Sequence, residues 1–153
     1  MAVSIPYDDI YSEFLLGIED WDIASLSEDT AYSFMSGYLS SAVSEPYVRK
    51  IFSEFEMDDD DETITCTIRH PQSDSDDARY VTKILAQGMV IKWLDPQITS
   101  TRNTQQVYSN SEAKFYSQRE HLRGLIELQE KKERELRKYI RDNGYIHNSY
   151  LED

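Results

Sequence analysis

Three histidines, one cysteine and 29 carboxylates are the side chains here whose types could support chemistry. His70, His121 and His147 stand far apart, on different predicted elements. No HExxH, CxxC or clustered Cys/His spacing accompanies them, so nothing supplies the ligand set of a zinc site. A GxSxG turn and a glycine-rich phosphate loop are also missing, and the five glycines are spread singly. Cys66 would need a base beside it to act as a thiolate nucleophile. His70 lies four residues further along an extended stretch. It points to the same face about 13 Å away, too far for a hydrogen bond. Acid pairs such as Asp20/Asp22 and Glu28/Asp29 imitate a general acid and its base, but a chain this acidic produces such pairs by chance. The residues therefore predict no catalytic centre, no metal site and no cofactor. His121 reads as a surface or packing residue.

The densest cluster is MDDDDE, residues 57–62. An EF-hand loop needs ligands at alternating positions, a turn glycine and a distal Glu, and none is present. Asp58, Asp59, Asp60, Asp61 and Glu62 are expected in a solvated turn, facing solvent or a channel. A weak adventitious divalent-cation site is the alternative.

The element around which the rest is organised is a predicted helix over residues 110–144. Asn110, Ser111 and Glu112 make a capping start, and Asn143-Gly144 a left-handed stop. About 31 residues at 1.5 Å rise give roughly 46 Å. Phe115, Leu122, Leu125, Ile126, Leu136, Tyr139 and Ile140 form an apolar stripe. Between Glu127 and Glu135 only Leu128 is apolar, while Glu127–Lys131, Glu130–Arg134 and Glu133–Arg137 are spaced as i,i+4 pairs. The first half can enter a core and the middle can stand in water. Either this is a solvated face, or the helix outgrows its domain and meets a neighbouring subunit.

At 153 residues the chain is expected to form one domain over residues 1–144, with residues 145–153 as a tail. No apolar run approaches the ~18 residues of a membrane span, and the composition reads as that of a soluble cytoplasmic protein. The single cysteine excludes an internal disulfide and is expected to be buried. A net charge of −13 argues against gripping nucleic acid, which requires Lys and Arg against the phosphates. Passive proximity to DNA is a different matter, because an acidic wall repels phosphate. Eleven Tyr, five Phe and two Trp suit contact surfaces.

In chain order, residues 1–6 read as a lead-in. Tyr7, Ile10, Tyr11, Phe14, Leu15 and Ile18 predict a helix of about 12 residues. Trp21, Ile23 and Leu26 sit in a connector. Ser27 with Glu28-Asp29 starts a second helix carrying Ala31, Phe34, Met35, Tyr38, Leu39, Ala42 and Val43, limited by Pro46. Tyr47, Ile51, Phe52 and Phe55 form a short helical or irregular segment. Residues 63–70, TITCTIRH, alternate strictly and predict a strand. Its partner is either residues 52–57 or another chain. A third helix is predicted over 77–94, capped by Ser75 or Asp76 and ended by Asp95-Pro96. Gly88 in it suggests a close helix crossing. Residues 97–109 read as a polar linker. Tyr145, Ile146, Tyr150 and Leu151 give the tail an apolar content suited to docking on a partner. The fold class is mainly α: three shorter helices and one long C-terminal helix, with a short strand or hairpin insertion around 62–70.

Three phrases in this order, YLSSA at 38–42, GMVIKWLDP at 88–96 and FYSQREHLRGL at 115–125, carry a resemblance to the head–tail connector (neck adaptor) proteins of tailed phages. The resemblance implies a non-enzymatic, mainly helical virion subunit, assembled in the host cytoplasm. It implies self-association into a ring, often twelvefold, between the portal protein and a downstream neck or tail-completion protein. DNA would pass through without specific binding, and no membrane is involved. The family has no catalytic residues to carry over. The other reading is a small non-enzymatic regulatory or adaptor binding protein that uses the long helix as its interaction surface.

Overall fold

The computed structural model describes residues 2–18, 27–69, 71–107 and 112–144. Among them the chain is mainly helical, with five helices and one three-stranded antiparallel sheet. The order is β1 (Val3–Pro6), α1 (Tyr7–Leu16), α2 (Glu28–Val43), α3 (Pro46–Arg49), β2 (Phe52–Asp58), β3 (Thr63–Ile68), α4 (Asp74–Val107) and α5 (Glu112–Gly144).

The predicted strand is β3, and its partners lie within the chain. β2 pairs with it on one side and β1 on the other, giving the order β1-β3-β2. Ile64, Cys66 and Ile68 are buried, as period-two alternation requires of a half-covered sheet. The first residues are a strand rather than a lead-in. Val3 lies opposite Cys66 and Ile5 opposite Ile64, and both side chains join the core. Four residues are too few for alternation to stand out, but the pairing supplies β3 with the second ladder its backbone needs. Pro6 ends the strand in extended geometry, and α1 starts at the next residue.

α1 and α2 follow the predicted stripes. Ile10, Tyr11 and Phe14 of α1 are buried with Met35, Leu39, Ala42 and Val43 of α2. α1 stops at Leu16, a little earlier than predicted, and the Gly17 N–H donates to the Phe14 carbonyl. Ser27 caps α2, its side chain accepting from the Thr30 N–H. The segment after Pro46 is a four-residue helix followed by β2.

The third predicted helix is the main correction. α4 runs 34 residues, straight past Asp95-Pro96 and through the expected linker. It is one residue longer than α5, which has 33. Proline removes a helix hydrogen bond and crowds the carbonyl four residues back, yet tertiary packing overrides it here. Beyond Pro96, Ile98 and Thr101 are buried, and the Thr101 hydroxyl donates to the Gln97 carbonyl at 2.9 Å. At the other end neither Ser75 nor Asp76 is the cap. The Ser73 hydroxyl accepts from the Asp76 N–H at 3.2 Å.

α4 is the spine. Val81, Ile84, Leu85 and Met89 are fully buried. Gly88 meets α2, where a Cβ added to it would lie 3.0 Å from the Cβ of Ala42, as the expected close crossing requires. α5 packs antiparallel on α4. The Tyr80 hydroxyl reaches the Ile140 carbonyl at 3.5 Å, and the Gln129 amide donates to the Ile91 carbonyl at 3.1 Å.

Candidate interaction surface

No helix among the described residues is long and apolar enough to cross a membrane. Nor do they contain a group of three or more His, Cys, Asp or Glu placed to hold a metal ion. Cys66 is buried on β3, and burial, with the charge of Asp77 adding to it, pushes its thiol up to about 11. A thiol held protonated is a poor nucleophile. His121 is exposed on α5, and Glu28 and Asp29 are exposed in the first turn of α2. His70, His147, Asp20, Asp22, Trp21, Ile23 and Leu26 lie outside the described residues, as do the tail positions Tyr145, Ile146, Tyr150 and Leu151.

The acidic turn joins β2 to β3, and Asp58, Asp59, Asp60, Asp61 and Glu62 are all exposed. It is an ordered turn. The Asp58 carboxylate accepts from the Asp60 N–H at 3.0 Å and the Asp61 N–H at 3.1 Å. Glu62 takes the left-handed conformation at φ 53°, uncommon for a residue other than glycine. Its carbonyl accepts from the Tyr7 N–H at 2.8 Å, the first free donor of α1. The Tyr7 hydroxyl donates to Asp59 at 2.8 Å. Burial, then that carboxylate, raises the phenol well above its usual range. The turn is thus tied to the start of α1, a link that no local motif announces.

The second surface is the outer part of the α4–α5 hairpin. Leu94 and Ile98 are buried but lie outside the main core cluster. In the antiparallel register they fall at the levels of Ile126, Leu125 and Leu122, which are half-buried, and Leu128 is 39% exposed. The two helices cover each other there and leave an apolar seam partly open.

The middle of α5 is only partly the solvated stretch its composition suggests. Gln129 is half-buried and holds Ile91 and Asp95 of α4. Arg137 stacks over Tyr47 at 4.2 Å from the ring centroid, and Lys83 of α4 lies over Tyr139 at 4.3 Å. Gln129 therefore fastens the helix where its apolar stripe lapses, a role visible only once α4 is alongside, and the two cation–ring contacts follow where the stripe resumes. Of the predicted ion pairs, Glu133–Arg137 forms at 3.0 Å. Glu127 instead joins Arg123 at 3.1 Å, and Lys131 joins Glu135 at 3.9 Å. Glu127 and Lys131 each have an opposite charge both four before and four after, and exposed pairs differ by only tenths of a kcal/mol.

Among the described residues, Leu15, Leu16 and Phe34 are the other large apolar side chains left exposed, at 44%, 81% and 50%. No family model, no curated protein and no solved structure matches the chain.

Proposed function

We propose that this chain is a structural head–tail connector (adaptor) subunit of a tailed-phage neck, forming a ring between the portal and the tail-side neck proteins. It acts by presenting surfaces, without chemistry of its own. The observation that carries this reading is the long hairpin of α4 and α5, whose outer seam of Leu122, Leu125, Ile126 and Leu128 remains partly open. A helix pair reaching past its own core, with apolar area left over, suits contact with neighbouring copies or components. The acidic balance suits a conduit that must not hold the DNA passing through it. The order of the three motif phrases supports the same reading.

The test is assembly. The purified chain is mixed with a portal protein and a tail-side neck component encoded beside it, and the mass of the product is followed by sedimentation and electron microscopy. The reading expects a ring seated on the portal, twelvefold in the simplest case. A chain that stays monomeric and binds neither component overturns it. The exposed face of α5 also suits the second reading, a small regulatory or adaptor binding protein. That reading expects capture of a partner by α5 without ring formation.

A further inference from the structure

Residues 131–141 hold six bases and two acids, against ten and 27 in the rest of the chain. This part of α5 is a cationic surface on a strongly acidic protein. The six bases do not all face one way. Lys132, with Glu135, lines a cleft of about 870 Å³ beside β1 and α1, and Arg137 is held by Tyr47 and Glu133. Lys131, Arg134, Lys138 and Arg141 remain. They recur at intervals of three, four and three residues, which puts them in one stripe about 15 Å long. All four are exposed, on the side of α5 opposite the buried Leu136 and Ile140. Lys131 and Arg141 pair on their own helix, with Glu135 at 3.9 Å and Asp142 at 3.5 Å. Arg134 and Lys138 have no ion-pair partner among the described residues.

The complement is on the same chain. The ordered turn presents five exposed carboxylates, Asp58 to Glu62. Asp8 and Glu28, also exposed, adjoin it: with Asp58, Asp59 and Glu62 they lie close enough to act on the phenols of Tyr7, Tyr11 and Tyr32. None of these acids is paired with the stripe among the described residues.

We propose that the stripe of Lys131, Arg134, Lys138 and Arg141 is the docking surface for the acidic turn of a second copy of this chain. This rests on the ring reading above and names the surfaces that join its copies. Stripe and turn are unlike surfaces, so each copy offers one to either neighbour, and such contacts close into a ring when their rotation allows it. The turn loses little freedom on docking, because Asp58 and the tie to Tyr7 already hold it. Nucleic acid is the poorer occupant. A duplex, unlike a five-residue turn, extends past the stripe over Glu127 and Asp142, and the 27 acids outside residues 131–141 repel its phosphates.

Self-association of the full chain tests it, followed by analytical ultracentrifugation at about 0.01 M and about 1 M sodium chloride, where charges are felt over about 30 Å and about 3 Å. The wild type should associate at low salt and about tenfold or more weakly at high salt. Arg134→Glu with Lys138→Glu reverses the stripe. Asp60→Lys with Asp61→Lys reverses the turn, in which these two residues supply backbone N–H groups to Asp58. Each reversal should weaken low-salt association about tenfold or more. Mixing the two variants, or joining all four substitutions in one chain, should restore it to within about threefold. Both variants stay net negative, so restoration comes from the paired surfaces and not from overall charge. Circular dichroism checks the fold, and the milder Arg134→Gln with Lys138→Gln should act in the same direction. Association indifferent to salt and to both reversals overturns the proposal, as does a wild type that is monomeric at low salt. So does binding of a mixed-sequence DNA duplex that the stripe reversal abolishes, without self-association. The ring reading is judged separately on the portal mixture: a ring there that ignores both reversals keeps that reading and removes this contact, and association that binds neither portal nor neck component does the opposite.

Discussion

An added methyl at Gly88 would lie 3.0 Å from the Cβ of Ala42. Neither atom is at the end of a flexible side chain, so the helices must move apart to admit anything larger. Gly88→Leu is expected to lower stability by about 2–3 kcal/mol, read from urea unfolding. Adding Ala42→Gly should recover part of that loss, because the two sites are in contact. Burial sets a second residue-scale expectation. Tyr11, Tyr47 and Tyr80 are pushed up to about 12, in each case first by burial. The unfolded chain releases these protons near pH 10, before the folded chain does. Their contribution is intact below pH 10 and lost as the pH rises from there toward about 12. Cys66 adds to the loss from about pH 9. Urea midpoints measured across this range should fall, and Tyr80→Phe should flatten the fall. Gly88 and Cys66 were legible in the sequence because each has a single dominant constraint, a close crossing and an apolar face. Tyr7–Asp59 and Gln129–Ile91 were not. Each joins residues dozens of positions apart, and polar side chains carry no periodic mark of what they will meet.

At the scale of elements, α5 is fastened unevenly. Leu136 is fully buried and Ile140 nearly so, while Leu122, Leu125 and Ile126 are half-buried. Leu136→Ala is therefore expected to cost about 2–5 kcal/mol, and Leu125→Ala about 1 kcal/mol. Thermal or urea unfolding distinguishes them. Equal losses would mean that the outer hairpin is as much a core as the inner part. The helices α1, α2 and α5 could be placed from the apolar spacing, because each buries one face against neighbours that do not alter its period. β1 and the outer half of α4 could not. A four-residue strand offers too short a pattern. The polar stretch after Pro96 has almost no apolar repeat to mark it as helix, and the buried residues described along it are Ile98 and Thr101.

On the scale of the whole molecule, a net charge of −13 is spread over a small surface. Mutual repulsion of these carboxylates opposes the compact state. Raising sodium chloride from low to physiological strength, where screening acts over about 8–10 Å, should raise the melting temperature. A chain whose stability ignores or falls with salt would place its charges in compensating pairs. The interaction surfaces were legible only in outline. The exposure of the acidic turn follows from its composition. Its anchorage to α1, the open seam of the hairpin and the cleft beside β1 arise from how the elements meet.

Pro96 has a mechanical meaning. It denies the Lys92 carbonyl its usual partner, and Gln129 marks the register in which Gly124 of α5 lies close to the same level. A Cβ at Gly124 would meet nothing within 4 Å, so no steric demand calls for glycine there. Both helices of the hairpin thus carry their least helix-favouring residue at about one height. A force on the far end is therefore expected to bend both helices first at that height.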